Sequence, residues 1–188
     1  MSEASSDPVP RVNVLGVGIS ALNMDTALEK VLEGADRPGF AGYVTVSGVH
    51  GVMESFRDKE LKRIHNRSYL STPDGMPMVW LAKWHGQAQV ARVYGPDLML
   101  EMVSATARTG RKHYFWGGNE GVAEDLAGRM KERFPGTEVA GICCPPFRPL
   151  TDAEEKELVV QLKESRPHFF WVGLSPPQQE RFMRDLLN

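Results

Sequence analysis

Apolar residues in this chain recur in two alternating rhythms: short β-branched or aromatic runs, and longer stretches with an apolar residue every three or four positions. Residues 12–17 read as a strand that bends at Gly16 and Gly18 into a β-ribbon. Asn23 and Thr26 open a helix with Ala27, Leu28, Val31 and Leu32 on its apolar face; Gly34 ends it, and Asp36 falls in the following turn. Residues 43–47 form the next strand. A helix carrying Val49, Val52, Met53 and Phe56 follows, then a charged helix over 59–67 with Leu61 and Ile64 inward. A β-like run at Tyr69 and Leu70 leads into a polar turn, 71–77, and an apolar helix ending at Trp84. The remaining pattern is a strand over 90–94, a helix from Gly95, a strand over 112–116, a helix with Val122, Leu126 and Met130, and a strand over 138–142. Thr151-x-x-Glu154 is a capping box opening one more helix. Residues 168–174 are continuously apolar, as in a strand buried on both faces of a parallel sheet. The expected fold is α/β: a Rossmann-like, mainly parallel sheet sandwiched by helices, with an N-terminal β-ribbon.

The 188 residues are most simply one domain over 11–188, preceded by a disordered tail over 1–10 that lacks the basic start and apolar core of a signal peptide. A content of 41% hydrophobic and 24% charged residues with net charge −2 is that of a soluble globular protein, and argues against a nucleic-acid partner. The two cysteines, adjacent at Cys143 and Cys144, form neither a disulfide framework nor a Cys-x-x-Cys motif, so a cytoplasmic location is expected. No apolar run approaches the roughly 18 residues that span a bilayer.

Candidate chemistry sits where strands meet helices. Pro73-Asp74-Gly75 can hold a carboxylate on a sharp strand-to-helix corner, although the same residues make an ordinary β-turn. Thr45 and Ser47 share one strand face just before a helix, suiting either a ligand crevice or a cap. Arg92 is either a solvated edge charge or a cation for a phosphate. Gly117-Gly118 between a strand and a helix suits an anion cradle or a tight connection without ligand. Gly16-x-Gly18-x-x-Ala21 meets the loose dinucleotide fingerprint, but its helix starts late and the required acidic residue is missing. The histidines at 50, 65, 85, 113 and 168 have no zinc-ligand spacing, and no P-loop or nucleophile elbow occurs. Acid–base chemistry is left to carboxylates and hydroxyls.

The segment Trp171-Val172-Gly173-Leu174-Ser175-Pro176-Pro177-Gln178-Gln179-Glu180 resembles the V-G-L-G-x-P-K-Q-E signature of the WecG/TagA/CpsF glycosyltransferases, glycosyltransferase family 26. Thr45-x-Ser47, Pro73-Asp74-Gly75, the stretch from Arg92 to Asp97, and Trp116-Gly117-Gly118 match further family segments in order, so the likeness spans residues 12–183. It implies an inverting, metal-independent transferase without cofactor. The implied reaction moves N-acetylmannosamine or another hexose from a UDP-sugar to a polyprenyl-diphosphate-linked sugar in cell-surface polysaccharide synthesis. Carried over by position, Asp74 is the general base, Thr45 and Ser47 line the sugar and acceptor site, Arg92 and the Gly117-Gly118 turn meet the diphosphate, and Gln179 with Glu180 holds the donor. Ser47, Ser175 and Gln178 stand where the family usually has Asn, Gly and Lys, which leaves the donor sugar open.

Family members generally continue into a basic appendage that touches the membrane, whereas this sequence stops at 188. The expectation is weak transfer and weak membrane contact by the chain as given, peripheral on the inner face of the cytoplasmic membrane. Phe182, Met183, Leu186 and Leu187 suit a homo-oligomer contact or their own core. The competing readings are a non-catalytic nucleotide-binding module in a polysaccharide-assembly complex, and a nicotinamide-dependent oxidoreductase.

Overall fold

The computed structural model describes residues 9–146 and 148–187; the tail expected over 1–10 lies, up to residue 8, outside the described residues. They form two compact units: residues up to Gly34 with Phe40–Leu98, and Ala35–Gly39 with the residues from Met99 onward.

In the first unit, β1 (Arg11–Val14) and β2 (Val17–Ser20) pair as an antiparallel hairpin with Val14 opposite Val17. This is the expected N-terminal β-ribbon, with its bend at Leu15 and Gly16 dividing the run 12–17 between two strands. Leu15 and Gly16 both take positive φ, 51° and 90°, the geometry that lets a two-residue turn follow the strand twist, and Asn13 accepts the Gly16 N–H. Asn23 caps α1 (Met24–Asp36) by accepting the Thr26 N–H. Gly34 does not end this helix: it is buried within it, under the rings of Phe40 and Tyr69, where a side chain would collide.

β3 (Val44–Ser47) runs parallel to β4 (Leu70–Pro73), with Thr45 beside Ser71 and Ser47 beside Pro73. The crossover consists of α2 (Val49–Arg57) and α3 (Lys59–Arg67), and Asp58 between them caps α3 by accepting from the N–H groups of Glu60 and Leu61. The far end of α3 is held by Arg11, whose half-buried guanidinium donates to the carbonyls of His65, Asn66, Ser68 and Tyr69. α4 (Met76–Trp84) follows β4 directly. Val52 of α2 and Met78, Val79 and Ala82 of α4 share a core with Val12, Val14, Val17 and Ile19 of the hairpin.

The strand expected over 90–94 does not form. Ala91 N–H donates to Leu22 and Val93 N–H to Pro73, so the segment is tied to two different neighbours, and the buried positions, 90 and 93, lack period-two alternation. α5 (Gly95–Thr106) carries residues of both units.

The second unit holds a parallel sheet in the order β6 (Glu138–Cys143), β5 (Lys112–Gly117), β7 (Phe169–Gly173). The strand buried on both faces is thus the central β5, not the apolar run 168–174, which forms the edge strand β7. Phe115 meets Ala123, Ala127 and Met130 of α6 (Val122–Arg133) on one face. Tyr114 and Trp116, turned the other way by the strand's alternation, meet Leu158 of α7 (Asp152–Ser165) and Phe182 of α8 (Gln178–Leu186). The Phe182 ring lies on Trp116 with centroids 4.1 Å apart, and Leu186 packs in the same cluster, so these residues serve their own core. The capping box at Thr151 and Glu154 is present, with Arg148 bonded to the Glu154 carboxylate, which Arg148 and Thr151 hold at a pKa of about 2. With helices on both faces of a parallel sheet, the architecture is Rossmann-like α/β. Among the described residues no helix is long and apolar enough to cross a membrane.

Candidate active site

Within the first unit the corner between β4 and α4 collects three of the sequence-derived candidates. Gly75 takes φ 92°, a conformation that side-chained residues resist, and this turns the chain sharply after Asp74. The Asp74 N–H donates to the Ser47 carbonyl at 3.1 Å, fixing the carboxylate-bearing residue against the exit of β3. Because the Val93 N–H bonds Pro73 at 2.9 Å, Arg92 arrives alongside, and its Nε lies 3.4 Å from Asp74 Oδ1. The Asp74 side chain is 27% exposed and that of Arg92 47%, so both stand at solvent. The guanidinium also lies over the Tyr94 ring, 4.5 Å from its centroid. The ion pair itself was not legible in sequence, where the two residues have separate roles.

Two helices begin beside this carboxylate, α2 after Gly48 and α4 after Gly75, and neither has a side-chain cap. Gly48 leaves room for Asp74: a Cβ there would stand 3.2 Å from the Asp74 carbonyl and 3.9 Å from Oδ2. Uncapped helix starts carry free N–H groups and partial positive charge, and Arg92 adds a full one.

Thr45 and Ser47 do share a strand face, but both are fully buried, at 0% exposure. Ser47 Oγ lies 2.7 Å from Ser71 Oγ and 3.0 Å from His65 Nδ1, while Thr45 and Ser68 continue the network. These hydroxyls form one buried network between β3, β4 and α3, joined to the corner through the Ser47 backbone carbonyl. His65 was missed by sequence reasoning; its signal is that it follows Ile64 and stands four residues after Leu61, on the inward face of α3. Burial lowers its pKa to about 4, and among the described residues its Nε2 has no hydrogen-bond partner.

In the second unit the glycine pair has a backbone explanation. A Cβ on Gly117 would run into the Gly173 carbonyl, φ there is 133°, and the Gly118 N–H donates to that carbonyl at 3.2 Å. The start of α6 just beyond is acidic, with Glu124 and Asp125 in its first turn, which opposes an anion. Gln179 Nε2 donates to Glu180 Oε1 at 3.0 Å in the first turn of α8; Glu180 is 3% exposed and, among the described residues, its Oε2 has no hydrogen-bond partner.

Residues 12–188 match the Glycosyl transferase WecG/TagA/CpsF family. The chain belongs to this family. Over 130 residues it is 24% identical to an N-acetylglucosaminyldiphosphoundecaprenol N-acetyl-beta-D-mannosaminyltransferase of Bacillus spizizenii (strain W23), an alignment covering 69% of this chain and 49% of that relative. The chain thus spans about half the length of the relative. Membership in this glycosyltransferase family accords with the α/β fold and leaves the nicotinamide reading without support.

Proposed function

We propose that this WecG/TagA/CpsF member transfers a hexose, N-acetylmannosamine or a close analogue, from UDP to a sugar carried on a polyprenyl diphosphate at the membrane surface. The observation that carries the reading is the Asp74–Arg92 pair, solvent-facing and flanked by two uncapped helix starts. Asp74 takes the proton from the acceptor hydroxyl as that oxygen attacks the anomeric carbon from the face opposite the leaving group, which inverts the centre. The departing UDP gains negative charge, and Arg92 is the cation suited to meet it. An exposed ion pair at 3.4 Å is worth roughly 0–1 kcal/mol, so a diphosphate can draw Arg92 away and leave the carboxylate free for the acceptor. No metal is needed in this scheme, and Gln179 and Glu180 remain the proposed donor contacts.

Asp74→Asn tests it: transfer to a soluble lipid-diphosphate sugar analogue falls about 10²–10⁴-fold while UDP-sugar binding, read by calorimetry, is retained. An Asp74→Asn enzyme that transfers like wild type removes the proposal. A non-catalytic nucleotide-binding module is the second reading, favoured by the burial of Thr45 and Ser47 away from any substrate. UDP binding without any transfer by wild type establishes it.

A further inference from the structure

Among the described residues, exposed large apolar side chains concentrate on α2 and α4 of the first unit. Val49, Met53 and Phe56 follow helical spacing along the outer face of α2, at 47%, 37% and 57% exposure. Met76, Trp80 and Trp84 recur every fourth residue along α4, at 46%, 61% and 85%. Inner residues of both helices already fill the core against the hairpin, so these outer ridges do not belong to it. We propose that the two ridges form a membrane-docking surface that lies in the headgroup–acyl boundary of an anionic bilayer.

Charge selects the occupant. α4 has no acidic residue and ends with Lys83; α2 ends with Arg57 and carries only Glu54 against it; and Lys62 of α3 sits over the Phe56 ring, 5.5 Å from its centroid. An apolar ridge ending in tryptophan and flanked by cations matches the interface of an anionic membrane. A two-fold contact with a second copy would set these cations against their own counterparts. Both ridges also start at the candidate site, since Val49 and Met76 each follow the glycine that opens a helix beside Asp74. A nine-residue helix runs about 13 Å, so the corner stands within reach of a sugar on a membrane diphosphate. The placement rests on the reading of a lipid-linked acceptor, and it gives the chain a membrane contact of its own.

The test is co-sedimentation with vesicles of phosphatidylcholine alone and with phosphatidylglycerol added, without donor or acceptor, alongside tryptophan fluorescence. Wild type binds the anionic vesicles with a blue shift. Trp80→Ser/Trp84→Ser weakens binding at least roughly tenfold, and the separate Arg57→Glu/Lys83→Glu variant loses the preference for phosphatidylglycerol. Wild type that stays in the supernatant, or a serine variant that binds equally well, overturns the proposal. So does a wild-type dimer in sedimentation equilibrium that the serine substitutions dissociate without any vesicle binding. The serine variant keeps its transfer to a soluble acceptor analogue. Absence of that transfer in wild type counts against the proposed reaction, while vesicle binding is read independently.

Discussion

His113 in the second unit and His65 in the first are each 1% exposed, and burial lowers both imidazoles to a pKa of about 4. Their partners differ. Thr106 Oγ1 donates to the Met102 carbonyl, so it accepts from His113 Nε2–H, and His113 Nδ1 is left to accept the Trp171 indole N–H at 3.1 Å. The rings of Phe115, Phe169 and Trp171 stack around it. The His65 ring has the Ser47 hydroxyl at Nδ1 and, among the described residues, no hydrogen-bond partner at Nε2. One histidine completes an aromatic core in which every polar atom of the ring is used. The other joins a buried hydroxyl network behind the strand end that leads to Asp74, and among the described residues its second nitrogen has no hydrogen-bond partner. A buried polar group with a full set of partners is explained by packing, whereas a partly satisfied one calls for another reason.

The largest expected effect separates the units at their glycines. Gly117→Ala forces a methyl into the Gly173 carbonyl at φ 133° and costs about 3 kcal/mol or more, measured as a lowered urea midpoint. A well-folded Gly117→Ala protein would mean that the pair serves a ligand and not the close approach of β5 and β7.

Acid comes next. Both folded imidazoles stay neutral while unfolded ones take up protons near pH 6.5, so this stability is complete above pH 6.5 and lost as pH falls toward 4. Each histidine contributes up to about 3 kcal/mol to the change. His113→Leu and His65→Leu should each flatten that dependence, but at pH 7 the first costs about 2 kcal/mol, because it strands the Trp171 N–H, and the second less than about 1. Urea unfolding across pH reads all of this. If His65→Leu is the costlier, the contrast between the two sites collapses.

The smallest effect on stability belongs to Gly48→Ala, within about 1 kcal/mol, since the backbone there is ordinary and the new methyl meets the Asp74 carbonyl at 3.2 Å and Asp74 Oδ2 at 3.9 Å. Transfer should fall more than stability does, because relief of the 3.2 Å contact shifts the Asp74 backbone and with it the carboxylate. Equal losses in both would place Gly48 in the fold alone.

Much of this architecture was readable because hydrophobic periodicity reports burial. Both parallel strand–helix units, the capping box at Thr151 and the glycine corner after Asp74 follow from local pattern. Sequence misread what depends on neighbours. Gly34 stays helical because two rings need its missing side chain, residues 90–94 are divided between Leu22 and Pro73, and β7 is an edge despite its apolarity because β5 lies between it and β6. At the candidate site, the identity of Asp74 and Arg92 was legible, but their pairing depends on one backbone bond from Val93 to Pro73. The burial of Thr45 and Ser47 depends on Ser71 and His65, which arrive from the next strand and the crossover helix.

The buried network of hydroxyls has an electrical consequence. Ser47 and Ser71 share one proton position 2.7 Å across, and either oxygen can be the donor. A hydroxyl reverses its dipole by turning about one bond, with every heavy atom left in place. Between β3 and β4 the chain has therefore laid down a small array of rotatable dipoles, whose direction reverses without any movement of the backbone.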